Sequence, residues 1–249
     1  MLRLKRLILL PGLALLLGAC ATTSAPPPEA RSPTDPWEPL NRQVYAFNRA
    51  ADKAVLRPVA RGYQAITPSP VRTGVTNFFD NLRSPVVILN LLLQGKPGDS
   101  LAQFERFFVN SVYGVGGIFD LADRADMPEH DADLGMTLAT WGWEDSRYLM
   151  LPFAGPSTLR DGLGFYGDSF VNPVLDGVRK EGSYGVLALD VVQIRAGLLP
   201  LDERIEEAFD PYLFIRDGYL QRRNFQIFGE EAQIPDYEAF LEDDFDEEF

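Results

Sequence analysis

Val86-Val87-Ile88-Leu89-Asn90-Leu91-Leu92-Leu93 is apolar on every face of a helix except at Asn90. A helix on the surface of a soluble domain carries a polar half, so this one needs apolar cover all round. Two arrangements supply it: a central place in a helical core, or a place against acyl chains on one side. Eight residues rise only about 12 Å against roughly 30 Å of hydrocarbon, so the run by itself does not span a bilayer. Ser84-Pro85 ahead of it reads as a cap and first-turn proline and predicts a helix from Val86 to Gln94.

Helical spacing continues on both sides. Upstream, Pro39 suits a first turn, and Leu40, Val44, Phe47, Ala51 and Val55 recur every three or four residues until Pro58 interrupts. Val71, Val75, Phe78 and Leu82 follow the same logic, and downstream Leu101, Phe104, Phe108 and Val112 mark a helix closed by Gly114. Gly116-Gly117, Pro128, Gly155-Pro156 and Asn172-Pro173 then divide the middle into short helices and loops, where Tyr148-Leu149-Met150-Leu151-Pro152 is the one segment read as extended. Helical pattern returns from Tyr184 to Phe209, broken near Gly197 to Pro200, and in a last helix from Pro211 to about Phe228. Strand alternation is scarce, so the fold class is mostly α.

Composition narrows the function. Over 249 residues, 23 Lys and Arg face 36 Asp and Glu, a net charge of -13 that argues against a phosphate backbone as partner and hence against nucleic acid. A hydrophobic share of 46%, with 17 Phe, 9 Tyr and 3 Trp, is ample for a folded chain. One Cys excludes a disulfide within the chain, and one His leaves no His-rich metal site and little general base near neutral pH; neither metal nor cofactor is expected.

The ends differ from the body. Met1 to Cys20 joins a basic start (Arg3, Lys5, Arg6), an apolar run from Leu7 to Leu17 and the small-residue ending Gly18-Ala19-Cys20, which reads as a secretory signal over residues 1–19. Leu17-Gly18-Ala19-Cys20 resembles the lipobox of bacterial lipoproteins, in which the thiol of the Cys receives a diacylglyceryl group; Cys20 is thus the expected lipidation site. Ala21 stands where an Asp resembles an inner-membrane retention signal in enteric bacteria, which favours the outer membrane and its periplasmic face. Residues 20–36 contain Pro26-Pro27-Pro28, Pro33 and Pro36 and read as an extended tether. Residues 230–249 hold ten acids and no base. Without the three leader cations the chain carries -16, of which the tail supplies -10 and the body only -6. The tail reads either as a solvated segment that aids solubility or as a docking strip for a basic partner.

Gly98-Asp99-Ser100-Leu101 spells the tetrapeptide of one family of lipid esterases. A nucleophilic Ser needs a base, which that family takes from an Asp-x-x-His pair late in the chain, and the one His here, His130, lies mid-chain among Glu129, Asp131 and Asp133. Asp99 or Ser100 instead reads as a helix cap and His130 as a solvated loop residue, so the protein is not expected to be an enzyme. Asp131-Ala132-Asp133 lacks the remaining ligands of a calcium loop. Arg106, beside Phe104, Phe107 and Phe108, and Arg160, next to Asp161, read as members of structural ion pairs in preference to lipid-phosphate contacts.

Taken together, Asp35-Pro36-Trp37-Glu38-Pro39-Leu40-Asn41-Arg42, Phe47-Asn48, Asn90 to Gln94-Gly95-Lys96, Arg106-Phe107, Asn110-Ser111 and Gly114-Val115-Gly116-Gly117-Ile118-Phe119-Asp120 form an ordered series. Leu134-Gly135-Met136-Thr137-Leu138, Trp141-Gly142, Leu151-Pro152 and Gly155-Pro156-Ser157-Thr158-Leu159-Arg160-Asp161 continue it. In order and spacing this series resembles the MlaA (VacJ) family of outer-membrane lipoproteins, from about Asp35 to the final helix. The resemblance implies removal of phospholipids misplaced in the outer leaflet and their passage to a periplasmic, MlaC-like lipid carrier, with no bond broken. It implies a ring of amphipathic helices within the membrane, over residues 37–229, held beside a trimeric porin and enclosing an amphipathic channel. It also implies a hairpin-like element at Tyr148, Leu149, Met150, Leu151 and Pro152, which are the candidate channel-lining residues. Trp143-Glu144-Asp145-Ser146-Arg147 departs from the Gly-rich turn common in the family just before that element. A lipoprotein that only scaffolds a porin complex, or an esterase using Ser100, are the alternatives.

Overall fold

The computed structural model describes residues 32–229 apart from Ser183, and the side chains of residues 178–181 are also left aside. Cys20, the leader, most of the tether and the acidic tail lie outside the described residues.

The chain is helical almost throughout. α1 (Glu38–Ala51) carries Pro39 in its first turn, as its sequence predicts. Pro58 does not end the helix but shifts its register. A π-helical turn, Asp52–Leu56, precedes α2 (Arg57–Ile66), and the Arg57 N–H reaches back five residues to the Asp52 carbonyl. A proline has no N–H to give, so the chain absorbs it at the start of a fresh helical segment.

α3 (Ser69–Leu93) runs for 25 residues with Pro85 inside it. The predicted start at Ser84-Pro85 is therefore wrong: Ser84 is not a cap, and its hydroxyl bonds back to the Asp80 carbonyl at 3.4 Å within a continuous helix. Packing of α3 along α4 (Pro97–Val112) outweighs the local loss of one hydrogen bond. α4 begins at Pro97, so Asp99 and Ser100 lie in its first turns and neither caps it.

Four later helices do start on the side-chain caps their sequences offer. Asp120 caps α5 (Leu121–Arg124), Asp133 caps α6 (Leu134–Thr140) and Thr158 caps α7 (Leu159–Asp168). α8 (Pro173–Glu181), α9 (Tyr184–Leu198), a 3-10 turn at Leu199–Leu201 and α10 (Asp202–Glu207) follow, and Asp210 caps α11 (Pro211–Phe228).

Between α6 and α7 the extended segment is a two-stranded hairpin. β1 (Tyr148–Leu151) pairs antiparallel with β2 (Gly155–Thr158), Tyr148 opposite Thr158 and Leu151 opposite Gly155, and the turn uses positive φ at Phe153 and Gly155. A small apolar core forms where β1 meets α11: Tyr148, Met150 and Tyr212 are buried together, with Tyr45 and Tyr219 packed edge-on around them.

Elsewhere the usual distribution is inverted. On α4 the buried residues are Ser100, Gln103, Arg106 and Asn110, while Leu101, Phe104, Phe108 and Val112 are about half exposed. α9 buries Asp190, Gln193 and Ala196 and exposes Val186, Leu189, Ile194 and Leu198. Tyr184–Glu207 is long and apolar enough to cross a membrane, yet only 17% of its most apolar window is buried, so its hydrophobicity does not serve a core. Extensive apolar exposure of this kind marks a surface made for lipid or protein contact.

Candidate functional site

The most apolar stretch of α3 is anchored by its one polar residue. Asn90 is fully buried; its amide donates to Asp168 at 2.8 Å and to the Val86 carbonyl at 3.0 Å, and its oxygen accepts from the Thr137 hydroxyl at 2.8 Å. Val86 and Leu91 share the inward side, and Leu89, Leu92 and Leu93 are exposed. The segment is therefore not a central core helix covered all round: one side packs inward and the other is exposed.

Nearer its start, α3 turns a polar stripe to a cavity. Thr73, Thr76, Asn77, Asp80 and Arg83 fall on one face at helical spacing and line a volume of about 460 Å³, flanked by Tyr63 and Gln64 of α2 and by Gln193, Ile194, Ala196, Gly197 and Leu198 of α9. Polar cross-links hold the walls: Thr76 to Gln193 at 3.0 Å, Gln64 to the Ala196 carbonyl at 2.8 Å, and Arg83 to Asp80 at 2.8 Å and Asp190 at 2.6 Å. Burial pushes the Asp80 carboxyl above its usual range, against the pull of Arg83.

Two further cavities adjoin. One of about 310 Å³ has an apolar floor of Tyr45, Met150, Leu201 and Ile215 and a charged rim that includes Arg49, Lys53, Asp52 and Glu206; Leu198 lines both this cavity and the first. Another, also about 310 Å³, shares Pro156 with it and is lined by Leu151, Asp161, Asp168, Tyr219 and Arg223. There Arg223 bridges Asp133 at 2.6 Å and Asp161 at 3.0 Å, and the Tyr219 hydroxyl donates to Asp161 at 2.7 Å. Burial alone raises the Asp161 carboxyl, but Arg223, Tyr219 and Arg160 outweigh it and hold the group below its usual value.

The hairpin residues divide among these surroundings. Met150 lines the second cavity and Leu151 the third, Tyr148 lies in the aromatic core, Leu149 is half-buried and Pro152 is exposed. Apolar periodicity alone does not disclose the polar wall on α2, α3 and α9. Its signal was the complementary set of polar residues at positions 73, 76, 77, 80 and 83.

The chemistry-bearing motifs take structural places. The Ser100 hydroxyl donates to the Ile88 carbonyl at 2.9 Å and ties α4 to α3. The backbone N–H of His130, in a half-buried loop position, donates to Gln103. Arg106 pairs with Asp120 at 3.1 Å and bonds the Met127 carbonyl, and Arg160 pairs with Asp161 at 3.2 Å and bonds the carbonyls of Trp143 and Glu144, as their neighbourhoods predict. The segment that departs from the family's Gly-rich turn is thus pinned by Arg160. Among the described residues no group of His, Cys, Asp or Glu is arranged to hold a metal ion.

The family model described as MlaA lipoprotein matches residues 33–226. The chain belongs to the MlaA lipoprotein family. It is 36% identical to the intermembrane phospholipid transport system lipoprotein MlaA of Escherichia coli K12, over 97% of this chain and 96% of that one. The protein of the same name from Haemophilus influenzae is 32% identical over 78% of this chain and 79% of its own. A structure solved in work on the structural basis for maintenance of bacterial outer membrane lipid asymmetry superposes with a TM-score of 0.69 at 35% identity, covering 79% of this chain and all of the other.

The family-like stretch Asp35 to Arg42 has a clear structural reason. Buried Asp35 accepts hydrogen bonds from the Tyr212 hydroxyl at 2.5 Å and from Asn41 at 2.8 Å, while the Asn41 oxygen accepts the Met150 N–H at 2.9 Å. One short motif thereby joins the beginning of the family region to the hairpin and to α11.

Proposed function

We propose that the protein moves phospholipids misplaced in the outer leaflet of the outer membrane inward, toward a periplasmic MlaC-like carrier, and breaks no bond in doing so. The observation that carries this reading is the cavity of about 460 Å³ between α2, α3 and α9, into which α3 turns a polar stripe, in a body whose outward faces are apolar. A phospholipid headgroup needs a hydrated path, whereas its acyl chains need apolar surface. Polar inner walls and apolar outer faces answer the two needs on one set of helices, and the driving force for net movement comes from elsewhere.

In this reading residues 1–19 direct export and Cys20 carries the lipid anchor, with residues 20–36 as a tether whose last residues, at buried Asp35, are already docked on the body, so that the helices of 37–229 form a ring within the periplasmic leaflet beside a trimeric porin. Met150 and Leu151 are the hairpin residues that line the lipid path, and Tyr148 holds the hairpin to α11. Residues 230–249 lie beyond that body as the acidic tail. Failure of a Cys20→Ala variant to lose labelled palmitate would exclude the anchor.

The function is tested by deleting the gene and complementing it. Deletion should raise outer-leaflet phospholipid and detergent sensitivity, the parent and Ser100→Ala should restore both, and Thr76→Trp, which fills the cavity, should not. Full complementation by the cavity-filling variant would leave only a scaffold role.

A further inference from the structure

The polar wall of the first cavity is uneven in charge. Arg83 is engaged by two carboxylates, Asp80 and Asp190. Arg72 lines the same cavity roughly 16 Å away along α3 and makes no ion pair among the described residues. Its Nη1 donates to the carbonyls of Gln64 at 3.0 Å and Thr67 at 2.8 Å, which fixes the guanidinium plane and leaves Nε and Nη2 without partners among the described residues. Tyr63 lines this wall too, and its hydroxyl is buried with no hydrogen-bond partner among the described residues. A buried unpartnered hydroxyl costs stability, and a held cation without a counter-ion attracts an anionic acceptor. Thr73, next to Arg72 on the same wall, adds a third donor. The two charged oxygens of a phosphodiester diverge tetrahedrally from phosphorus, which suits donors that come from separate side chains of one wall.

We propose that Arg72 and Tyr63 form a phosphate station in the cavity, where the phosphodiester of a glycerophospholipid pauses during passage. The inference rests on the transport reading and names the part of the substrate that this site recognises. The station recognises phosphate and not the headgroup beyond it, so lipids that share the phosphodiester share the site. Arg83 contributes little, because its charge is already neutralised.

The test is titration of the full-length lipidated protein in detergent with dihexanoyl phosphatidylethanolamine, with dihexanoylglycerol, which lacks phosphate, and with inorganic phosphate. The parent should bind the phospholipid about ten-fold or more tightly than the diacylglycerol. Arg72→Gln should lose most of that preference, Arg72→Lys should retain part of it, and Arg124→Gln, at an exposed position outside the cavity lining, should leave it intact. Tyr63→Phe should weaken binding a few-fold while melting no lower than the parent, because the lost hydroxyl has no partner in the unliganded protein. An unchanged preference in folded Arg72→Gln, or unchanged affinity in Tyr63→Phe, would overturn the station while leaving transport standing. Inorganic phosphate that binds as tightly as the phospholipid would overturn the assignment to a lipid headgroup. No binding by the parent would instead sink the transport reading itself.

Discussion

Asn90 donates to Asp168 at 2.8 Å across 78 positions of sequence, from the middle of the most apolar run in the chain. That bond, with the Thr137 hydroxyl on the other side of the amide, decides which way α3 faces. The apolar residues around Asn90 do not compete for the interior, because the interior here is largely polar.

Asn90→Leu conserves shape but leaves the half-buried Asp168 and fully buried Thr137 short of a partner. We expect a loss of about 2–3 kcal/mol in denaturation in detergent. A variant as stable as the parent would mean that apolar packing, and not this bond, orients α3.

The two faces of α4 should respond oppositely to what a soluble helix shows. Phe104→Ser with Phe108→Ser should change stability in detergent by no more than about 0.5 kcal/mol for each residue, yet weaken retention in membranes after alkaline extraction. Arg106→Met, an apolar residue placed inside, should cost about 3 kcal/mol by stranding Asp120 and the Met127 carbonyl.

The glycines after α4 separate backbone strain from crowding. Gly116 and Gly117 both have positive φ, but a Cβ at Gly116 meets open space, whereas one at Gly117 would stand 2.4 Å from the Asn81 Cβ. Gly116→Ala should cost about 1 kcal/mol, and Gly117→Ala about 2–4 kcal/mol through strain and overpacking combined. Equal losses in thermal melts would show that the loop yields freely against α3.

Acid should act through Asp161. Its native pKa is held below the unfolded value of about 3.9, so its contribution is present above that value and disappears as pH falls through the depressed native one. Asp161→Asn should therefore be less stable than the parent at neutral pH, and the gap should close on acidification. Asp168 works in the opposite sense, because burial raises its pKa, so the variant must be compared with the parent at each pH. A gap independent of pH would assign the loss to packing alone.

Much of the helical plan was legible. Pro39, the breaks at Gly197 to Pro200 and the start at Pro211 fall where local chemistry puts them, and so does the extended segment at Tyr148. Pro85 lies inside a helix and not at its start, because a proline's local preference for a first turn is small beside the packing of a 25-residue helix against its neighbour. Ser100 lies one helical turn inside α4 and does not cap it, because Pro97 starts the helix without a side-chain cap.

The candidate site was less legible. Tyr148 to Pro152 stood out as an element, but nothing in five apolar residues tells which of them enter the core, a cavity or solvent. Arg72 and Tyr63 gave no local signal at all, since an unmatched charge or hydroxyl is a property of its surroundings.

The sequence by itself determined that the chain is helical, that helices such as α1 and α4 have a polar and an apolar face, and which family's motifs it carries. Only the tertiary structure decided which face points inward. Periodicity is the same for a helix and for its inside-out counterpart, and the choice is made by partners far along the chain: Asp120 for Arg106, Asp168 for Asn90 and Asp190 for Arg83. Once those polar groups satisfy one another inside, the aromatic and aliphatic side chains are left to the exterior, where acyl chains are the solvent that suits them.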